Sequence, residues 1–217
     1  MRDVRAGVIA TRQPRCGVLL AGGAGTRFGG ARKGLLPLGD ARIADGALHA
    51  LSLVCDEVVI AANDPEAENW FPGHRVINDR VPGLGALGAL ESALLAANGQ
   101  NAVVCAWDMP FVTPRDLLSL ITTVEAGANS AVPVHADGAR EPLCAAYAPI
   151  CAAVATRLLA NGERAAHAIL DQVGGVRWLI DEHLSPQDAR RTFFNVNTPD
   201  DLRRAELWVL PHPIRSR

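Results

Sequence analysis

The chain has 217 residues, 49% hydrophobic and 20% charged, which is the make-up of an ordinary globular protein and enough for one domain with a sizeable core. Its formal net charge of −2 leaves no global positive field to recruit nucleic acid or an anionic membrane surface, so basic groups must act locally. No apolar run reaches the roughly 18 residues of a membrane helix; "LCAAYAPICAAVA" comes nearest, and Pro149 interrupts it.

The segment from Met1 to Arg15 sets Arg2, Arg5, Arg12 and Arg15 against a single Asp3, and its apolar piece "AGVIA" is too short for a secretory signal core. It reads as a flexible arm over 1–15, ahead of one domain at 16–210 and a tail at 211–217. Short apolar runs predict strands at 17–20, 57–62, 76–78 and 102–107. Alanine- and leucine-rich stretches between them predict helices at 43–54, 86–97 and 114–125, the last capped by Thr113 with Pro114 at its first position. Further on, "SAVPVHADGAREPLCAAYA" reads as two strands joined at Asp137-Gly138, and "PICAAVATRLLANG" as a helix closed by Asn161-Gly162. "FFNVN" reads as a short strand, followed by a helix from Pro199 to about Trp208 with Thr198 as its cap. Alternating strands and helices predict an α/β fold, a mostly parallel sheet with helices on both faces.

In such a sheet, ligands sit at the carboxyl ends of the strands. Those ends carry Gly22, Asn63, Asp79 and Asp108. The first opens "GGAGTRFGGARKG", with glycines at 22, 23, 25, 29 and 30 and the cations Arg27, Arg32 and Lys33. It is not a dinucleotide fingerprint, because Phe28 stands where the third glycine belongs; it is not a P-loop, because Gly34 follows Lys33. A surface loop with solvated arginines is one reading. The other is an anion nest for a triphosphate, since so many glycines cost entropy unless the backbone needs positive φ or close approach. Arg27 would then grip two oxygens at once and Lys33 act as a point charge.

"LLAGGAGTRFGGARKGLLPL" resembles the signature of nucleotidyltransferases, specifically of the molybdenum cofactor guanylyltransferases. "VINDRVPGLGALGAL", "VVCAWDMPFV", "DGAREPLCAAY" and "FFNVNTPDDL" agree in the same order, so the likeness runs from about Cys16 to Trp208. It implies a Rossmann-like three-layer α/β/α domain that joins GTP to molybdopterin with Mg²⁺ and releases pyrophosphate. By position it implies that Leu20, Ala21, Gly22, Gly23 and Gly85 line the nucleotide, that Lys33 contacts phosphate, that Asp79 holds the nucleoside and that Asp108 binds the metal. Arg27, Lys33 and Asp108 form the expected catalytic set, and Asn195 and Asn197 are expected to face the pterin or phosphate. The chain departs from the family pattern at Ala61, Ala86 and Ala89, and Asn63 is the expected substitute for an asparagine at 61.

Each residue also has a plainer reading. Asp108 could serve a turn or a helix start, Asp79 an Asx-turn, and Asn197 a lead into the Thr198 cap. Arg140, Glu141 and Arg164 could line an acceptor pocket or be solvated surface charges. Five cysteines, an odd number without C-x-x-C spacing, and six scattered histidines point to free thiols in a cytoplasmic chain without zinc. The expected partners are GTP, a molybdopterin-type acceptor and transient contacts with proteins that deliver molybdopterin or mature molybdoenzymes, from a monomer or weak homo-oligomer. The alternatives are a cytidylyltransferase or sugar-phosphate nucleotidyltransferase of the same fold, and a nucleotide-binding regulator without turnover.

Overall fold

The computed structural model describes residues 12–22, 28–135, 137–179 and 186–209. The first half alternates β1 (Arg15–Leu20), β2 (Pro37–Leu38), β3 (Ala41–Arg42), α1 (Ile43–Val54), β4 (Glu57–Ala61), β5 (Arg75–Ile77), α2 (Gly85–Ala96), β6 (Asn101–Ala106) and α3 (Pro114–Glu125). The second half follows with β7 (Ser130–Pro133), β8 (Cys144–Tyr147), α4 (Ile150–Ala160), α5 (Ala168–Gln172), β9 (Val176–Leu179), α6 (Pro186–Thr192) and α7 (Pro199–Val209). Among the described residues the main sheet has seven strands in the order β5-β4-β1-β6-β8-β7-β9, with β2 and β3 a separate ribbon. β8 alone runs against its neighbours β6 and β7. The sheet is thus mostly parallel, as expected. No helix among these residues is long and apolar enough to cross a membrane.

Successive strand residues point to opposite faces, and the core divides accordingly. Leu19, Ile60, Val103 and Cys105 pack with α1 and α3, whereas Val18, Leu20, Val59 and Val104 pack with α2, α4 and α5. That division is the three-layer α/β/α arrangement. β1 begins at Arg15 because this arginine is buried: its guanidinium reaches Glu125 twice, at 2.7 and 2.8 Å, and Val54 O at 3.3 Å. The expected caps hold. Asp116 N donates to Thr113 Oγ1, Asp201 N donates to Thr198 Oγ1, and Gly162 closes α4 at φ +87°. The hairpin turn forms at Gly138, whose N–H donates to His135 O.

Two expectations fail: the arm does not extend to 15, because Arg15 is the buried first residue of β1, and the strand near the end does not form. "FFNVN" is not a strand, so Asn195 and Asn197 do not share a strand face. Phe193 and Phe194 spend their N–H groups ending α6, on Ala189 O and Arg191 O. Val196, fully buried, packs with Leu38, Ile43 and Ala205 and donates its N–H to Asp108 O. The segment is thus a link pinned by its side chains and one cross-bond rather than by a ladder.

Candidate active site

The parallel strands β5, β4, β1 and β6 bring their carboxyl ends to one rim, and the ladder continues a step beyond them: Ala21 N donates to Ala61 O, Ala62 N to Ile77 O, and Trp107 N to Leu20 O. Ala21, Gly22, Asn63, Asp79 and Asp108 therefore share that rim. Leu20 differs, because its side chain is in the α2-side core and its carbonyl is engaged by Trp107. Ala61 is likewise buried there; Asn63 lies beyond the strand end and turns to Asp79 instead. Asn63 Nδ2 donates to Asp79 Oδ2 at 2.7 Å, and Asp79 N donates to Asn63 Oδ1 at 2.8 Å. The pair fixes one carboxylate oxygen of Asp79 at the rim.

The glycine-rich loop returns to this rim through Gly29 and Gly30, at φ +64° and +87°, the left-handed region that glycine tolerates. Lys33 then opens a single 3₁₀ turn, Lys33–Leu35. Its ammonium donates to Asp108 Oδ2 at 2.5 Å and to Asn197 Oδ1 at 2.8 Å. Asn197 is held in turn by Asp201, whose carboxylate accepts from the N–H groups of Asn197 and Thr198. Asp108 does not cap α3, which Thr113 and Asp116 start, so the helix-start reading falls away. Its Oδ1 is buried with no hydrogen-bond partner. A buried carboxylate oxygen left without a donor has room in its chemistry for a cation, beside the Lys33 ammonium that the other oxygen already carries. Mg²⁺ takes one or two protein carboxylates together with phosphate oxygens and water, and the residues present fit that pattern. Among the described residues no group of three or more His, Cys, Asp or Glu could hold a metal ion.

A second polar group lies near Asp108, close enough to feel its charge. Glu141 bonds His135 Nε2 at 2.8 Å. Burial pushes the Glu141 carboxyl above its ordinary range; the His135 and Asn195 hydrogen bonds pull it back, while the charge of Asp108 pushes it further up. Asn195 Nδ2 donates back to Phe193 O at 3.4 Å, so this side chain does not join Asn197 on Lys33. Sequence reasoning passed over His135, although a turn at Gly138 sets 135 and 141 on opposite arms of one hairpin. Arg164 is turned to the end of α4, where Nη1 donates to Leu159 O and Glu163 O, and Arg140 pairs with Asp171 at 3.0 Å. Gly85 opens α2 at φ +69°, where an added Cβ would come 3.1 Å from Arg164 O. A close backbone approach therefore already accounts for that glycine. Gly23 and Arg27 lie outside the described residues.

A cavity of about 660 Å³ is lined by Ala21, Gly22, Arg32, Asn63, Trp70 and Trp107 among others. That is the size of an ordinary small-molecule site. Lys33 and Asp108 are not in its wall, but their chain neighbours Arg32 and Trp107 are. A Cβ added at Gly22 would meet nothing within 4 Å, so the protein itself leaves space there. Its tryptophan walls were not legible as site residues.

A family model described as the MobA-like NTP transferase domain matches residues 17–177. The chain belongs to this family. The match takes in the glycine-rich loop, Lys33, Asp79, Asp108 and the hairpin with Glu141. This MobA-like NTP transferase is an enzyme, a nucleotidyltransferase. It is 31% identical to a molybdenum cofactor guanylyltransferase of Desulfosudis oleivorans over 89% of this chain and 95% of that one. A molybdenum cofactor guanylyltransferase of Mesorhizobium japonicum is also 31% identical, over 89% and 95%. The crystal structure of molybdopterin-guanine dinucleotide biosynthesis protein A from Archaeoglobus fulgidus matches with a TM-score of 0.74 and 31% identity, over 89% of this chain and 97% of that one.

Proposed function

We propose that this transferase joins GMP from GTP to the terminal phosphate of a molybdopterin-type acceptor. An acceptor phosphate oxygen attacks the α-phosphorus in line, the bond from that phosphorus to the bridging α–β oxygen breaks, and pyrophosphate leaves with the electron pair. The observation that carries the reading is the Lys33–Asp108–Asn197 cluster, whose chain neighbours Arg32 and Trp107 line the rim cavity, in a chain whose relatives bear that name. Phosphoryl chemistry of this kind needs placement and charge neutralisation more than covalent help.

Lys33 is assigned to the phosphates and Asp108 to Mg²⁺, which when bound neutralises charge on the phosphate oxygens. Asn63 and Asp79 are assigned to the nucleoside. Guanine offers an N1–H and a 2-amino donor that a carboxylate or carbonyls accept, and a site built on such bonds rejects a base that lacks them. The test is pyrophosphate release by the purified protein with Mg²⁺, acceptor and each of GTP, CTP and ATP. Release with GTP only when acceptor is present is the expected result. A Kd for CTP equal to or below that for GTP would move the chain to a cytidylyl activity, and no release with any nucleotide would leave a binding protein without turnover.

A further inference from the structure

Lys33 stands between two neighbours that both rest on the same pair of indoles. On one side, the Arg32 guanidinium bonds Asp64 and Glu66 at 2.8 Å each, with its central carbon 5.3 Å from the centre of the Trp70 ring. Trp70 stacks on Trp107, ring centres 5.4 Å apart and planes 23° from parallel. On the other side, Gly34 lies against Trp107 so closely that an added Cβ would sit 2.3 Å from Cδ2 and Cε3. Trp107 is also the residue before Asp108, the partner of the lysine. The layers Arg32, Trp70, Trp107 and Gly34 thus bracket the one residue whose ammonium reaches the carboxylate.

We propose that Trp70 and Trp107 are positioning residues for Lys33: the two rings set the height of the 3₁₀ turn, and the turn sets the reach of the ammonium toward Asp108 and the phosphates. This rests on the function proposed above. Lysine has a flexible four-carbon stem, so its ammonium is set jointly by the partners Asp108 and Asn197 and by where the turn starts that stem. A displacement of about 1 Å at such a group is enough to cost on the order of a hundredfold in rate. Simple core filling accounts less well for the pair. It does not require a glycine against one ring face and an arginine over the other, and the Trp107 Nε1–H is buried with no partner, which a Phe or Leu would avoid.

The test is a double-mutant cycle. Gly34→Ala pushes a methyl group into the Trp107 ring, and Trp70→Leu removes the stack, each made in the wild type and in a Lys33→Ala background. Turnover of GTP with acceptor and the Kd for GTP are measured, with thermal midpoints as a control. Each change should lower wild-type turnover at least about tenfold, yet alter the Lys33→Ala enzyme by less than about threefold, because the group they place is gone. Trp70→Phe should restore most of the loss. Equal losses in both backgrounds, or full activity in the Gly34→Ala and Trp70→Leu variants, overturn the proposal. If Gly34→Ala fails to fold, Trp70→Leu with its Phe rescue decides alone. A wild-type protein that transfers no nucleotide refutes the proposed function instead, and the GTP Kd then tests the placement of Lys33 by the same non-additivity.

Discussion

Gly46 offers a test in which two effects of opposite sign compete. It lies in α1, and a Cβ built on it would be 2.1 Å from Pro110 O and 2.9 Å from Pro110 C. Alanine in a helix gains about 0.8–1.0 kcal/mol over glycine through propensity alone. Against this, an ordinary carbon–oxygen contact is about 3.4 Å, so the helix and the turn must separate by roughly 1 Å, and the obstacle is backbone that cannot rotate away. Overpacking of this kind costs about 1–3 kcal/mol, and the rigid obstacle puts it at the upper end. The net is a loss of about 1–2 kcal/mol, which for a protein of this size lowers the thermal midpoint by roughly 3–6 °C. Pro110 is two residues from Asp108, so the same shift moves the carboxylate that Lys33 contacts, and turnover should fall at least about tenfold. Circular dichroism melts of Gly46→Ala, with pyrophosphate release measured alongside, check both parts. A midpoint equal to or above wild type would mean that propensity wins and that α1 does not press on the turn.

Lys33→Ala and Asp108→Ala should each cut turnover at least about a hundredfold with the fold retained by circular dichroism, the scale of losing one charge partner of a transition state; wild-type rates in either remove the cluster from the chemistry. Gly22→Leu should lose most GTP affinity in a calorimetric titration while its ligand-free midpoint moves only a few degrees, roughly, because its Cβ enters open space; normal GTP binding would show that the nucleotide passes elsewhere. Arg15 holds the Glu125 carboxyl below its ordinary range chiefly through their hydrogen bonds. The folded pKa is depressed, so the stabilisation is present above about pH 4.3 and is lost as pH falls through the folded value. Glu125→Gln should therefore be less stable than wild type at neutral pH, with the gap closing in acid when urea midpoints are compared; a gap independent of pH refutes the pairing.

The sheet was legible because β1, β4 and β6 are short apolar runs, each ending in a polar or glycine-rich segment, and the caps at Thr113 and Thr198 are local signals that need no tertiary help. β2 and β3, of two residues each, carry no periodicity to detect, and β9 shows none against its surroundings. "FFNVN" was misread because aromatic and β-branched residues suit a strand, whereas here they serve a small side core with Leu38, Ile43 and Ala205. At the site, Lys33 and Asp108 stood out as a cation in a glycine loop and a carboxylate at a strand end. Their meeting with Asn197, 164 residues from Lys33, was foreseeable only from the resemblance. Nothing local marks Trp70 as the neighbour of Trp107, or Arg32 as the partner of Asp64 rather than of a phosphate. For Arg164 the sequence left both readings open, because a helix-closing arginine and a ligand-binding one look alike in a "NGER" string; the structure has it bonding Leu159 O and Glu163 O.

The reversed strand has a consequence for how the protein can vary. In a fully parallel sheet, the chain would enter β8 from the edge opposite the site, and the hairpin arm before it would be far away. Because β8 runs backwards beside β6, it is the start of β8 that adjoins the end of β6, with Ala106 N on Leu143 O. The incoming arm with Glu141 therefore arrives beside Trp107 and Asp108, while β1, β4 and β5 supply their outgoing loops to the other side. One rim is assembled from two independently tethered sources. Changes in the arm that carries Glu141 can therefore alter the surroundings of Asp108 without touching Asn63 or Asp79, which hang from other strands.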